Sequence, residues 1–222
     1  MPHPVIVGVD HTERARDAVA LGRVLASASG AELVLAHVYP FDERQSRFLS
    51  KRLEHQLREE TGRGMESLIQ ATGPPARLLT TTDRSTARGL HRLAEGEQAQ
   101  FLVTASSHRG PVGRTFLGDV AQQTLHGSPC GVAVAPLGYA APGRAAVNTI
   151  GVGFDGEPES RVALTYAATL AAALGAELRL LASSYLAPIA GGAGWVPYDP
   201  GPMRRAEQEH LQGQVDAAIG AR

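Results

Sequence analysis

The stretch TASSHRGPVGRTFLGDVAQQ, residues 104 to 123, runs from an apolar segment through a glycine-rich link into a helix-like segment. Glycines between a strand and a helix let the backbone approach a phosphate, and the helix's first N–H groups complete an anion site. Asp119 stands where such a site calls for a small hydroxyl or a bare amide, so a fixed negative charge faces the place a phosphate would take. At about 4 Å an uncompensated like charge costs on the order of 1–4 kcal/mol, depending on the local dielectric.

Other chemistries lack their residues. HRGPVGRT is not a Walker A loop, because its first glycine is missing and Arg114 stands in place of lysine. Gly110–Gly113 therefore reads as loop geometry. The chain contains no G-x-S-x-G elbow and no H-E-x-x-H pair, and its eight histidines show no metal-ligand spacing. No catalytic residue and no metal ligand is assigned. His37, inside a strand-like run, is expected to be a satisfied core or rim histidine. Cys130, the single cysteine, excludes an internal disulfide and reads as a small buried hydrophobe.

Those residues need elements to hold them. IVGVDHTERARDAVALGRVLASASGAELVLA begins at Ile6, and GVGFDGEPESRVALTYAATLAAALGAELRLL begins at Gly151. They match without a gap at an offset of 145 positions, which pairs Asp10 with Asp155 and Gly30 with Gly175. Each copy starts with a β-branched run, turns at an aspartate and continues with small apolar residues at helical spacing. A glycine placed as a C-terminal cap then ends the helix, and a second strand follows. In the first copy Leu49, Leu53 and Leu57 predict a helix over 46–71. RLLTTT (77–82) predicts a third strand, STARGLHRLAEG a short helix, FLVTA (101–105) a buried central strand and GVAVAP (131–136) the last strand. Five strands alternating with helices make a doubly wound α/β domain with a five-stranded parallel sheet. Residues 138–147 read as a linker. Residues 148–222 read as a partial second copy, truncated or serving as an appendage, with a Gly/Pro-rich loop around Trp195 and a polar helix from about Met203.

These runs together resemble the universal stress protein family, in its tandem-domain form. The resemblance rests on VIVGVD, GAELVLAHV, the strand, loop and helix at 101–126, and SPCGVAVAP. It implies a Rossmann-like fold related to the adenine nucleotide alpha hydrolases, and an ATP site built on Gly-x2-Gly-x9-Gly-Ser/Thr. The spacing is kept here, but Ala105 stands at the first glycine, His108 at the second and Asp119 at the Ser/Thr, leaving only Gly118 intact. The candidate cofactor-binding residues carried over are Asp10, Val38, Ala105, Ser106 and His108, then Arg109, Gly110, Gly118, Asp119 and Val120. Arg109 and Arg114 restore some positive charge. Asp10 has two readings of equal weight, a ribose contact and a turn residue that starts a helix.

With 21 basic and 22 acidic residues the net charge is −1, which gives no field for nucleic acid or an anionic membrane. No apolar run reaches the roughly 20 residues a membrane helix needs, and MPHPVIVGVD has no signal-peptide pattern. The expectation is a cytoplasmic, non-enzymatic stress-response protein with a degenerate, weak ATP site. A homodimer is expected through the edge strand Gly131–Pro136. A functional, slowly hydrolysing ATP-binding protein and a carrier of another small ligand are the alternatives.

Overall fold

In the computed structural model of the chain, the residues described are 3–10, 12–40, 76–106, 108–109, 115–143, 146–182 and 201–220. The helix expected over 46–71 and the loop around Trp195 lie outside them. The chain divides into two compact units, Met1–Ala146 and Val147–Arg222.

The first unit runs β1 (Val5–Gly8), α1 (Arg14–Ser29), β2 (Leu33–Pro40), β3 (Arg77–Asp83), α2 (Thr86–Gly96) and β4 (Phe101–Ala105). Then come β5 (His108–Arg109), β6 (Thr115–Phe116), α3 (Asp119–Leu125) and β7 (Gly131–Ala135). Five strands form one sheet in the order β3-β2-β1-β4-β7, every pair parallel. β5 and β6 form a separate antiparallel pair. The continuous apolar runs VIVG and FLVTA are explained by this position, since strands inside a parallel sheet meet helices on both faces. Val5, Ile6 and Val7 are fully buried, as are Leu102 and Val103. One core joins Ile6, Val34, Val38, Leu90, Ala94 and Leu102, and Cys130 packs half-buried against it. Burial pushes the Cys130 thiol above its ordinary value, the behaviour of a packing residue rather than a nucleophile.

α1 buries Ala15, Ala18, Val19, Gly22, Leu25 and Ala26, a stripe of small and aliphatic residues at helical spacing. It stops at Gly30, whose φ of 62° is left-handed, and whose N–H returns to the carbonyls of Ala26 and Ser27. Glycine reaches this conformation without the steric penalty a Cβ would bring.

Asp119 does not cap α3 with its carboxylate; Gly118 is the N-cap, in extended conformation, and Asp119 is the first helical residue. The segment that follows β7 is hydrogen-bonded within the first unit. The Gly138 and Ala140 N–H groups donate to the Asp17 carboxylate at 2.8 and 2.7 Å, tying the chain back to α1.

The second unit contains β8 (Thr149–Phe154), α4 (Pro158–Leu174), β9 (Glu177–Ala182) and α5 (Gly201–Gly220). β8 and β9 pair in parallel, and α4 ends at Gly175 with φ 64°. Val152, Phe154 and Leu164 form its core, with Leu178, Leu180 and Val215 packed against them.

Candidate functional site

From β1 the chain passes to β2 and β3 on one side, then returns to β4 and β7 on the other. The order reverses between β1 and β4, and in open α/β sheets the crevice beyond the strand ends at that point is where ligands sit. A cavity of about 480 Å3 lies there.

Its base is apolar: Ala36 and Val38 of β2 and Leu90 of α2, all buried. Gly8 closes the end of β1 against α2, since a Cβ there would stand 2.9 Å from Leu90 Cδ1. Val9 and Asp10 follow β1 on the wall. The Asp10 Oδ1 accepts from the Thr12 N–H at 2.9 Å, a turn that leads the chain into α1. Arg14 and Ala15, at the start of α1, form the next part of the wall.

α2 is placed by a buried carboxylate. Asp83, at the end of β3, accepts from Arg88 Nη2 at 2.6 Å, from Arg92 Nη2 at 3.1 Å and from the Ser85 N–H at 3.0 Å. The Arg88 hydrogen bond holds this carboxyl below its ordinary value, against the opposing effect of burial. Ser85 caps the helix, accepting from the Arg88 N–H, so that Thr86 and Leu90 arrive at the cavity.

On β4, Thr104, Ala105 and Ser106 line the opposite wall, and the Ser106 N–H donates to the Ala135 carbonyl at 2.8 Å, extending the β4–β7 ladder. His37 Nδ1 donates to the Val9 carbonyl at 2.8 Å, and its ring meets Tyr39 edge-on at 4.7 Å. A carbonyl only accepts, so Nδ1 carries a proton in this bond. Gly118, Asp119, Val120 and Ala121 complete the wall at the start of α3. Asp10, Asp119 and Val120 are exposed and stand at the mouth, while Ala36, Val38 and Leu90 are buried at the base.

Asp10, Val38, Ala105, Ser106, Gly118, Asp119 and Val120 are thus brought to one cavity. His108 and Arg109 lie in β5, backbone-paired with β6. Gly110 is outside the described residues. Sequence reasoning missed Arg14, His37, Thr86, Leu90 and Thr104 as wall residues. Thr104 opens the very stretch that drew attention, and its place beside Ala105 was the available signal. Among the described residues no group of three or more His, Cys, Asp or Glu is set to hold a metal ion. No helix among them is long and apolar enough to cross a membrane.

The model of the universal stress protein family matches residues 1–136. The chain belongs to the universal stress protein family. A universal stress protein of Thermus aquaticus, described as lying in the QAH/OAS sulfhydrylase 3' region, is 28% identical over 130 residues, 58% of this chain and 94% of its own. The solved structure of a universal stress protein from Archaeoglobus fulgidus DSM 4304 aligns over 96% of this chain and 75% of that one, at 17% identity and a TM-score of 0.61. A second Archaeoglobus fulgidus universal stress protein aligns over 61% of this chain and 99% of its own, at 19% identity and a TM-score of 0.45. Membership carries the family's general stress-associated, regulatory role.

Proposed function

We propose that this universal stress protein is a non-enzymatic, cytoplasmic binding protein whose cavity takes a small neutral ligand and holds phosphate weakly. Asp119 carries the reading. It stands on the cavity wall at the first position of α3, and Asp10 adds a second carboxylate at the mouth. Arg14 is the one cation among the described wall residues, so the mouth as described is net acidic. A triphosphate entering it meets like charge, whereas hydroxyls of a sugar-like group find acceptors. The aliphatic base suits a flat heterocycle, which makes a nucleoside the fitting class of ligand.

Calorimetry with adenosine and with Mg-ATP at moderate salt tests this. Adenosine binding at least as tightly as ATP is the expected outcome. A low-micromolar Mg-ATP complex with no comparable adenosine binding overturns it, and establishes the ATP-binding reading that Arg14 favours. Identification of whatever the denatured protein releases separates both from a carrier of another compound.

The reading of residues 148–222 as a partial second copy is supported by its own strand, helix and parallel strand, and by the matching left-handed glycines Gly30 and Gly175. Association is proposed through Gly131–Pro136, whose strand β7 lies at the sheet edge with β4 as its one partner among the described residues.

A further inference from the structure

Among the described side chains of the cavity wall, one buried polar atom is unsatisfied. Thr104 is 3% exposed, lines the cavity, and its Oγ1 meets no hydrogen-bond partner. The other such atoms among the described residues, on Tyr39, Tyr139 and Gln214, belong to residues that do not line it. His37, buried on the same wall, is bonded to the Val9 carbonyl. A hydroxyl withdrawn from water with no partner destabilises the fold, and valine fills the same volume without that penalty.

Geometry accounts for the vacancy. β1 pairs with β4 as far as Val7 opposite Val103, and the next β1 residue in that register is Gly8, which has no side chain to offer. On its other side Thr104 is opposite Val134, an aliphatic residue. The base beside it is formed by Val38, Leu90 and Ala36, whose side chains carry no hydrogen-bonding atom. Rotation about one bond exchanges the threonine hydroxyl and methyl between staggered positions, so Oγ1 can turn to meet a group entering the cavity.

We propose that Thr104 Oγ1 is the hydrogen-bond partner of the ligand's buried end and selects among heterocycles by the polar atoms on their edge. The inference rests on the reading of the cavity as a nucleoside site. Hydrocarbon surface at that end leaves the hydroxyl unpaired, while a ring nitrogen, amine or carbonyl satisfies it. A site with one buried hydrogen-bonding group discriminates more sharply than one lined by aliphatic residues alone.

Thr104→Val and Thr104→Ser are the variants, and adenosine, inosine and guanosine the probes, with affinities from calorimetry and melting temperatures of the ligand-free full chain. The wild type is expected to bind the three unequally. Thr104→Val is expected to lower the tightest of them about tenfold, to narrow the spread, and to melt higher than wild type without ligand. Thr104→Ser is expected to keep the wild-type order. Equal affinities in wild type and Thr104→Val overturn the proposal. So does a lower melting temperature of Thr104→Val with affinities unchanged, which assigns the hydroxyl to the fold. If wild-type protein binds none of the three, the nucleoside reading fails first and takes this proposal with it, a result distinct from loss in the variant alone.

Discussion

Asp119 and Asp10 reach the same cavity from opposite ends of the first unit, and their charges act on a ligand in different ways. Asp10 is committed in part to the turn before α1, through the Thr12 N–H. Asp119 has no such role, because Gly118 occupies the capping position. Replacing Asp119 therefore removes a charge without removing a cap. Asp119→Ser is expected to raise Mg-ATP affinity about threefold to tenfold, more at low salt than at high, since an exposed charge is screened. Adenosine affinity is expected to fall, because a carboxylate that accepts from its sugar hydroxyls is replaced by a weaker neutral acceptor. Calorimetry with both ligands at two ionic strengths checks this. An equal gain for adenosine would show that the aspartate acts by shape instead of charge.

At the scale of elements, two carboxylates hold the helices that bring side chains to the cavity. Asp17 lies on α1, one turn beyond Arg14, and receives two N–H groups from the segment after β7. Asp17→Ala leaves both donors without an acceptor and is expected to cost ~2–4 kcal/mol in urea denaturation, with Asp17→Asn intermediate. A loss under about 0.5 kcal/mol would mean that water replaces the carboxylate at no cost. Asp83 does the corresponding work for α2. Its carboxyl titrates below the ordinary 3.8 because of the Arg88 hydrogen bond first, with the Ser85 N–H and the charges of Arg88 and Arg92 adding to it. A depressed value stabilises the fold above the unfolded-state pKa, and the benefit disappears as pH falls through the folded-state value. Asp83→Asn is thus expected to be less stable at neutral pH and to lose less stability than wild type between about pH 4 and pH 2. Denaturation midpoints across that range, for both proteins, give the test.

Among the described residues, β7 is an edge strand of the first unit's sheet. β7 pairs with β4 along one side, and the Ser106 N–H donates to the Ala135 carbonyl there. Backbone groups of alternate residues point to alternate sides of a strand, so the Val134 N–H and carbonyl face outward. Such an edge is a template for a second strand, and a two-fold axis turns that pairing into a closed dimer. Val134→Pro deletes one outward donor while leaving the β4 ladder its partners. Light scattering at tens of micromolar is expected to show a dimer for wild type and a shift toward monomer for Val134→Pro, with each variant folded by circular dichroism. A monomeric wild type, or a dimer indifferent to the proline, rules out this edge as the interface.

What the amino-acid sequence determined by itself is local. The run VIVG, the stripe of α1, the glycine that ends it, and FLVTA follow from periodicity and conformational preference within a few neighbours, and each occupies its expected place. The family motif likewise carried Ala105, Gly118 and Asp119 to the cavity, because a strand, loop and helix contiguous in sequence stay together in space. Pairing of distant strands decided the rest. Thr104 becomes an unsatisfied wall residue because its tertiary neighbours are Val134 and the aliphatic base, and His37 finds the Val9 carbonyl 28 positions away in sequence. Asp17 reads as one more polar helix residue until the chain returns 121 positions later to bond it. Hydrogen-bond partners of buried polar groups are chosen by tertiary proximity, and no short-range pattern encodes that proximity.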